Sequence, residues 1–414
     1  MFCDTIKIEL KYCLFEEKIM NEIYIGDNLK VMQDKSFDKY KGKIKMIYID
    51  PPYNTSSKFT FNDKRAEEEW IKFMKVRLEC AKELLTVDGA IFISIDDNEY
   101  AELKVLCDKI FDKSNFVGTF ITNQAKRSNA KFINTCHEYI LCYAKDKDSL
   151  NNFSIKRIDI PEQKEMIKKI CSAVKFEFKK NGKNAAEKKL SSLIKKYCDA
   201  LNISWLKNYN CVDDNGEVFF AKDLSTPSAP RSVNIPEIGL KLKPLPTRGW
   251  SSDEKFKELY KKNMLCFKGA RPYEKHFLVD AVDNAPSVIN FYSRQGTNDL
   301  NKLGLRNIFD TPKPVELIKF LIRLVATNDG DTVLDFFAGS GTTAQAVYEV
   351  NKENKKNLNY VLIQLDEELD KTNKANKVCE EFGIEKKISD ILLFRINTFL
   401  DKEGMKKDYK TFKI

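Results

Sequence analysis

A carboxylate, two prolines and a phenol stand together at Asp50-Pro51-Pro52-Tyr53. Consecutive prolines fix φ and donate no N–H, so they neither continue a sheet nor sit inside a helix. Asp50 and Tyr53 are therefore held on a stiff elbow. A flat heterocycle bearing an amino group suits this set: Asp50 and the Pro51 carbonyl each accept one N–H, and the Tyr53 ring stacks on the heterocycle. The bland alternative is a rigid strand-to-loop turn.

A second cluster lies far along the chain, Val333-Leu334-Asp335-Phe336-Phe337-Ala338-Gly339-Ser340-Gly341-Thr342-Thr343. It reads as a strand entering a glycine turn and then a helix through Ala344–Tyr348. Glycines permit the tight turn and a close backbone approach to a ligand. The helix start offers unpaired N–H groups to a carboxylate, and Asp335 at the strand end suits an ammonium. No lysine follows the glycines as in a P-loop. An amino-acid-bearing nucleoside therefore fits better than a pyrophosphate.

The elements that must position these groups are legible in the hydrophobic pattern. The elbow follows Ile44–Ile49, an apolar run that predicts a buried strand, and open α/β sheets bind ligands at the carboxyl ends of their strands. Around it the pattern predicts strand Ile23–Ile25 ending at Gly26-Asp27-Asn28-Leu29, and a helix over Ala66–Leu85 with Trp70, Phe73, Met74, Leu78 and Ala81 on one stripe. Asp88-Gly89 marks that helix's end, ahead of strand Ala90–Ile95. A helix capped by Asp96-Asp97 then runs to Ile110, followed by strand Tyr139–Ala144. The same texture returns near Phe309, with helix Val315–Ala326 closed by Gly330 and strands Thr332–Phe336 and Tyr360–Ile363.

Between these blocks the texture changes. In Ile155–Ala200 basic residues outnumber acidic ones about two to one, a footprint expected of phosphate contact, though solvated helix faces look alike. Two helices are expected here, Pro161–Phe176 and Ala185–Leu201, divided by Asn181-Gly182. Pro227–Pro246 is rich in turns, and Trp250–Leu265 reads as a helix. The expected organisation is an N-terminal extension over 1–20, one half of a sheet domain over 21–147, an insertion over 148–295, the other half over 296–400 and a basic tail over 401–414. Met20 reads as an equally good start.

The net charge of +9 favours a polyanionic partner. The eleven cysteines are scattered with no C-x-x-C pair, and the two histidines, His137 and His276, give no zinc spacing. They read as reduced core residues of a cytoplasmic protein without a metal. No run reaches membrane-spanning length, and no signal-peptide pattern opens the chain.

Taken in order, the motifs resemble the β-group of amino-methylating DNA methyltransferases, in particular the modification subunits of type III restriction systems. The resemblance runs from Asn21 to about Asp370. Its carriers are Gly26-Asp27-Asn28-Leu29, Ile47-Tyr48-Ile49-Asp50-Pro51-Pro52-Tyr53-Asn54-Thr55, Trp70-Ile71-Lys72-Phe73-Met74, Ile93-Ser94-Ile95-Asp96-Asp97-Asn98-Glu99, His137-Glu138-Tyr139-Ile140-Leu141, Thr311-Pro312-Lys313-Pro314 and the glycine motif. The amino-acceptor motif precedes the cofactor motif, with a recognition module between them.

The resemblance implies an α/β fold: a doubly wound, mostly parallel sheet that binds S-adenosylmethionine and carries an inserted target-recognition domain. Asp50, Pro51, Pro52 and Tyr53 would form the catalytic corner. Asp335, Phe337, Gly339, Gly341 and Thr342 would hold the methionine half of the cofactor, Asp27 its adenine amino group, and Thr311 and Lys313 would flank the pocket. Many relatives carry an acid at Gln364 for the ribose hydroxyls; the amide can still hydrogen-bond them, with Asp366 two residues on, on the same strand face. Asn54, His137 and Tyr139 would lie near a flipped base, and Lys126, Arg127, Arg248 and Arg271, in loop-like sequence, would contact DNA. The implied activity is methylation of adenine N6 in double-stranded DNA within a restriction–modification system, by a homodimer with a possible restriction subunit as partner. Two alternatives stand beside it: a recognition subunit that needs its restriction partner, and a cytosine-N4 enzyme, whose members more often have Ser in place of Asp50.

Overall fold

The computed structural model describes residues 21–55, 66–123 and 132–414. They divide into two compact units, one formed by the parts up to Asn152 and from Pro286 onward, the other by Phe153–Ala285. Met20 and the extension before it, with Lys126 and Arg127, lie outside the described residues.

The first unit is built on a nine-stranded sheet. In chain order its strands are β1 (Asn21–Ile25), β2 (Ile44–Ile49), β3 (Leu85–Ile95), β4 (Phe116–Asn123), β5 (His137–Ala144), β6 (Val288–Ile289), β7 (Thr332–Asp335), β8 (Asn359–Gln364) and β9 (Tyr409–Lys413). Across the sheet they run β6-β4-β5-β3-β2-β7-β8-β1-β9. Every neighbouring pair is parallel except the two made by β5. From β2 the chain moves outward through β3, and after the second unit it returns on the other side of β2 as β7. The reversal point therefore lies between β2 and β7, where doubly wound sheets open a crevice.

The central strands are apolar at almost every position because helices cover both faces of a parallel sheet. β2 is buried throughout, and its one charge, Lys45, is ion-paired to Asp88 at 2.5 Å and donates to the Asp88 carbonyl. The main helices are α1 (Asn28–Gln33), α2 (Glu67–Leu84), α3 (Tyr100–Cys107), α4 (Val315–Val325), α5 (Thr342–Asn354) and α6 (Ile388–Glu403). Trp70, Met74 and Leu78 of α2 pack with Ile47, Ile49, Ile91 and Ile93 in one cluster, the stripe expected from a 3.6-residue period.

Three local expectations change. Asp88-Gly89 does not end a helix: α2 stops at Leu84, β3 begins at once, and the pair lies in a register shift between Ile44 opposite Leu85 and Met46 opposite Ala90. A Cβ on Gly89 would meet the Thr86 hydroxyl at 2.9 Å and the Lys45 carbonyl at 3.0 Å, so the close approach of β2 explains the glycine. The expected basic tail contains β9, paired parallel to β1. The helix after Asp96-Asp97 starts at Tyr100.

In the second unit a short strand, Ser154–Lys156, leads to a helical span, Pro161–Leu201, broken at Gly182, whose φ of 79° and ψ of −178° are not helical. Only glycine adopts that geometry readily, so two helices form, as the Asn181-Gly182 signal predicts. Ile167, Ile170 and Val174 of the first pack with Ala186, Leu190 and Ile194 of the second. A four-stranded antiparallel sheet joins Leu265–Lys268, Arg271–Phe277, Val218–Asp223 and Cys211–Val212. The helix expected over Trp250–Leu265 spans only Asp253–Lys261, because Gly249–Trp250 pairs with Ser225–Thr226 and Asn263 turns at φ 54°. Among the described residues no helix is long and apolar enough to cross a membrane, and the nine described cysteines are free.

Candidate active site

Register brings the two chemical motifs together. β2 and β7 are adjacent and parallel, with Ile47 opposite Leu334. Their carboxyl ends therefore deliver Asp50 and Asp335 side by side, close enough that the charge of Asp50 adds to the rise in the Asp335 pKa.

The elbow is locked from behind. The Trp70 indole donates to the Pro52 carbonyl at 2.7 Å, and Tyr53 packs on the core beneath α2. Asn54 takes a left-handed φ of 58° and donates to Glu99 at 2.6 Å. Asp50 Oδ1 is shielded from solvent and has no hydrogen-bond donor among the described residues. Burial pushes the Asp50 carboxyl above the ordinary range, the nearby ammonium of Lys313 opposes the rise and Glu138 adds to it. A buried carboxylate oxygen with acceptor capacity to spare is chemically matched to an incoming N–H.

Lys313 stands inside this corner rather than merely flanking a cofactor pocket. Its Nζ donates to the Tyr53 hydroxyl at 2.7 Å and to Glu138 at 2.9 Å, and lies 3.2 Å from Asp50 Oδ1. Sequence reasoning passed over Glu138 and chose its neighbours. Successive strand residues face opposite sides of a sheet, so His137 and Tyr139 share one face of β5 and Glu138 takes the other; that alternation was the available signal. His137 and Tyr139 form a separate chain: His137 Nε2 contacts the Tyr139 hydroxyl at 2.8 Å, which donates to Asp97 at 2.8 Å.

The glycine motif forms the turn expected of it. Gly339 and Gly341 have φ of 53° and 82°, values that L side chains resist, and Gly341 caps α5. Asp335 is buried, accepts from the Thr343 hydroxyl at 2.6 Å and from the Phe337 N–H at 3.1 Å, and is pushed up by burial to about 7. Beneath the turn, fully buried Arg395 of α6 donates to the hydroxyls of Ser340 and Thr342 at 2.7 Å each and to Gln345 at 3.0 Å. Burial lowers its pKa to about 10. Thr343 ends the glycine motif but is not among the expected site residues, and Arg395 carries no local motif that singles it out.

On the far side, Asp27 caps α1 through the N–H groups of Leu29 and Lys30 and pairs with Arg77 at 3.2 Å. Arg77 donates to Asn28 at 2.6 Å, and Asn28 to the Phe336 carbonyl at 2.7 Å. This relay ties β1, α2 and the turn after β7 into one wall, and the Arg77 guanidinium lies 3.6 Å from the centre of the Phe73 ring. Gln364 turns inward: its oxygen accepts from Gly339 N–H and its NH2 donates to the Leu365 carbonyl. Asp366 does not continue the strand face, because β8 stops at Gln364. Its carboxylate is held by Ser389 at 2.7 Å and Lys413 at 2.8 Å, which depress its pKa to about 2. Thr311 is exposed. Arg248 and Arg271 belong to the second unit, where they contact the Ser225 carbonyl and Asp223.

The donor set fits a ligand with an ammonium and a carboxylate on one end. A buried carboxylate ends β7, and the first turn of α5, entered through two left-handed glycines, presents N–H groups.

Residues 44–375 match the DNA methylase family, and the chain belongs to it. It is 31% identical over 418 residues to the type II methyltransferase M.KpnI of Klebsiella pneumoniae, covering 95% of this chain and 91% of that one. It is also 31% identical over 388 residues to the type III restriction-modification enzyme EcoP15I Mod subunit of Escherichia coli, covering 83% of this chain but only 58% of that subunit. Among solved structures, PvuII DNA methyltransferase, cytosine-N4-specific, aligns over 96% of this chain and 95% of its own with a TM-score of 0.41 at 11% identity.

Proposed function

We propose that the protein methylates the N6 amino group of adenine in double-stranded DNA, using S-adenosylmethionine, as the modification enzyme of a cytoplasmic restriction–modification system. The observation that carries the reading is the register of β2 beside β7, which sets an amine-gripping elbow next to a turn suited to an amino-acid-bearing nucleoside.

Adenine's exocyclic amine is a weak nucleophile because its lone pair is delocalised into the ring. Asp50 Oδ1 and the Pro51 carbonyl accept its two N–H groups, which favours a pyramidal nitrogen whose lone pair points out of the ring plane. Tyr53 stacks on the extruded base and offsets part of the few kcal/mol that extrusion costs. Asp50 then stabilises the positive charge that develops on nitrogen. S-adenosylmethionine supplies an electrophilic methyl group, with Asp335 suited to its ammonium and the start of α5 to its carboxylate. The protein's main contribution is position.

We assign the second unit to target recognition, with Arg248 and Arg271 among its DNA-facing residues, and His137, Tyr139 and Asn54 to the rim around the base. Lys126 and Arg127 join them as expectations from sequence. The match to the Mod subunit of a restriction-modification enzyme supports a restriction subunit as partner, and a homodimer completes the proposal. Single-molecule sequencing of DNA from cells expressing the chain tests this: N6-methyladenine at one recurrent motif is expected, and N4-methylcytosine or unmodified DNA would replace the reading.

A further inference from the structure

Three elements that are distant in sequence converge on one ammonium. Lys313, from the segment entering α4, has the Tyr53 hydroxyl, Glu138 of β5 and Asp50 within 3.2 Å. Its side chain is 14% exposed, and it lies 4.9 Å from the centre of the Tyr53 ring. The cation is thus anchored on Glu138 and Tyr53 and ion-paired to Asp50 Oδ1 at 3.2 Å, and a carboxylate oxygen has a further lone pair with which to accept an N–H.

We propose that Lys313 and Glu138 are a charge-setting pair: positioning residues that fix the ionisation of Asp50 from opposite sides and so set the pH range in which the corner can hold an amine. The proposal rests on the methyltransferase reading of that corner. Its logic is that only ionised Asp50 is purely an acceptor; once protonated, it turns a donor towards the amine's N–H groups. Burial favours the protonated form, the Lys313 charge opposes it and the Glu138 charge supports it. The remaining groups facing Asp50 are the hydroxyls of Tyr53 and Tyr48 and the carboxyl of Asp335. Both tyrosines are raised well above their ordinary value by burial and stay neutral. Among the described residues Lys313 is the cation of the set; burial alone would lower it, but Asp50 and Glu138 outweigh that and keep it charged.

The test is the pH profile of kcat for methylation of duplex DNA by the full chain, in wild type, Lys313→Met, Lys313→Arg and Glu138→Gln. Lys313→Met should move the acid limb upward by roughly one to three pH units, the range for an opposite charge at this distance. Glu138→Gln should move it downward, and Lys313→Arg should leave it near wild type. A residue with only a structural role lowers kcat without moving the limb. If Lys313→Met is inactive throughout, the Glu138→Gln profile decides. Limbs that stay fixed, or move in the same direction in both variants, would overturn the proposal. Carboxyl 13C titration of Asp50 in the same proteins reads the pair without activity, so a wild type that fails to methylate DNA would count against the function and leave this inference separately tested.

Discussion

Gln364 accepts the Gly339 N–H at 2.8 Å, tying the end of β8 to the turn that follows β7. The Gln364 amide therefore shapes the glycine turn from inside. Gln364→Glu keeps the acceptor and should bind S-adenosylmethionine almost as wild type. Gln364→Ala should bind about 5–30-fold more weakly, the equivalent of one net hydrogen bond with its unpaired donor left behind. Isothermal titration of the two variants checks this.

Arg395 holds the same turn from below through three side-chain oxygens. Arg395→Ala would leave those groups unpartnered around a cavity in the core. It should lose on the order of 3 kcal/mol of stability and weaken cofactor binding through the turn it supports. Denaturant titration and calorimetry on one preparation measure both effects.

Under the proposed reading, Asp335 gives cofactor binding a pH dependence of known sign. Its carboxyl is raised to about 7 in the fold, so below that pH it is mostly neutral and poorly suited to an ammonium. Binding should weaken by up to about tenfold per pH unit below 7 and level off above it. The folded state binds this proton more tightly than the unfolded chain, so the group's contribution to stability is lost as pH rises from the ordinary carboxylate range to about 7. Asp335→Asn should accordingly raise Tm at pH 8 and leave it unchanged at pH 4, while abolishing cofactor binding. Thermal scans at the two pH values check the stability part.

The Tyr53 ring and hydroxyl separate by substitution. Tyr53→Phe keeps the stacking face but drops the contacts to Lys313 and Glu138, and should retain much activity. Tyr53→Ala should lose most of it, because stacking is worth about 1–3 kcal/mol per base. Steady-state kinetics on a short duplex distinguishes them.

Much of the scaffold was legible because parallel strands under helices must be apolar: the run before Asp50 and the stripe on α2 follow from that alone. The glycine turn was legible because Gly339 and Gly341 need positive φ. What stayed hidden depends on partners far away in the chain. Glu138 and Lys313 reach Asp50 only once β5 and the segment entering α4 are in place. The inward turn of Gln364 requires the loop after β7, and Arg395 arrives from α6. β9 reads as tail because its Lys410 and Lys413 mask a short edge strand, and Asp88-Gly89 mimics a helix stop while serving a close approach between strands.

The claim on which the rest depends is that the Asp50 elbow and the Asp335 turn serve one reaction on adenine. Purified protein incubated with duplex DNA and S-adenosylmethionine, followed by digestion to nucleosides and mass spectrometry, tests it most directly. N6-methyladenine is expected from the wild type, and none from Asp50→Ala despite nearly intact cofactor binding. Undiminished N6-methyladenine from Asp50→Ala, or a wild-type product other than N6-methyladenine, would contradict it.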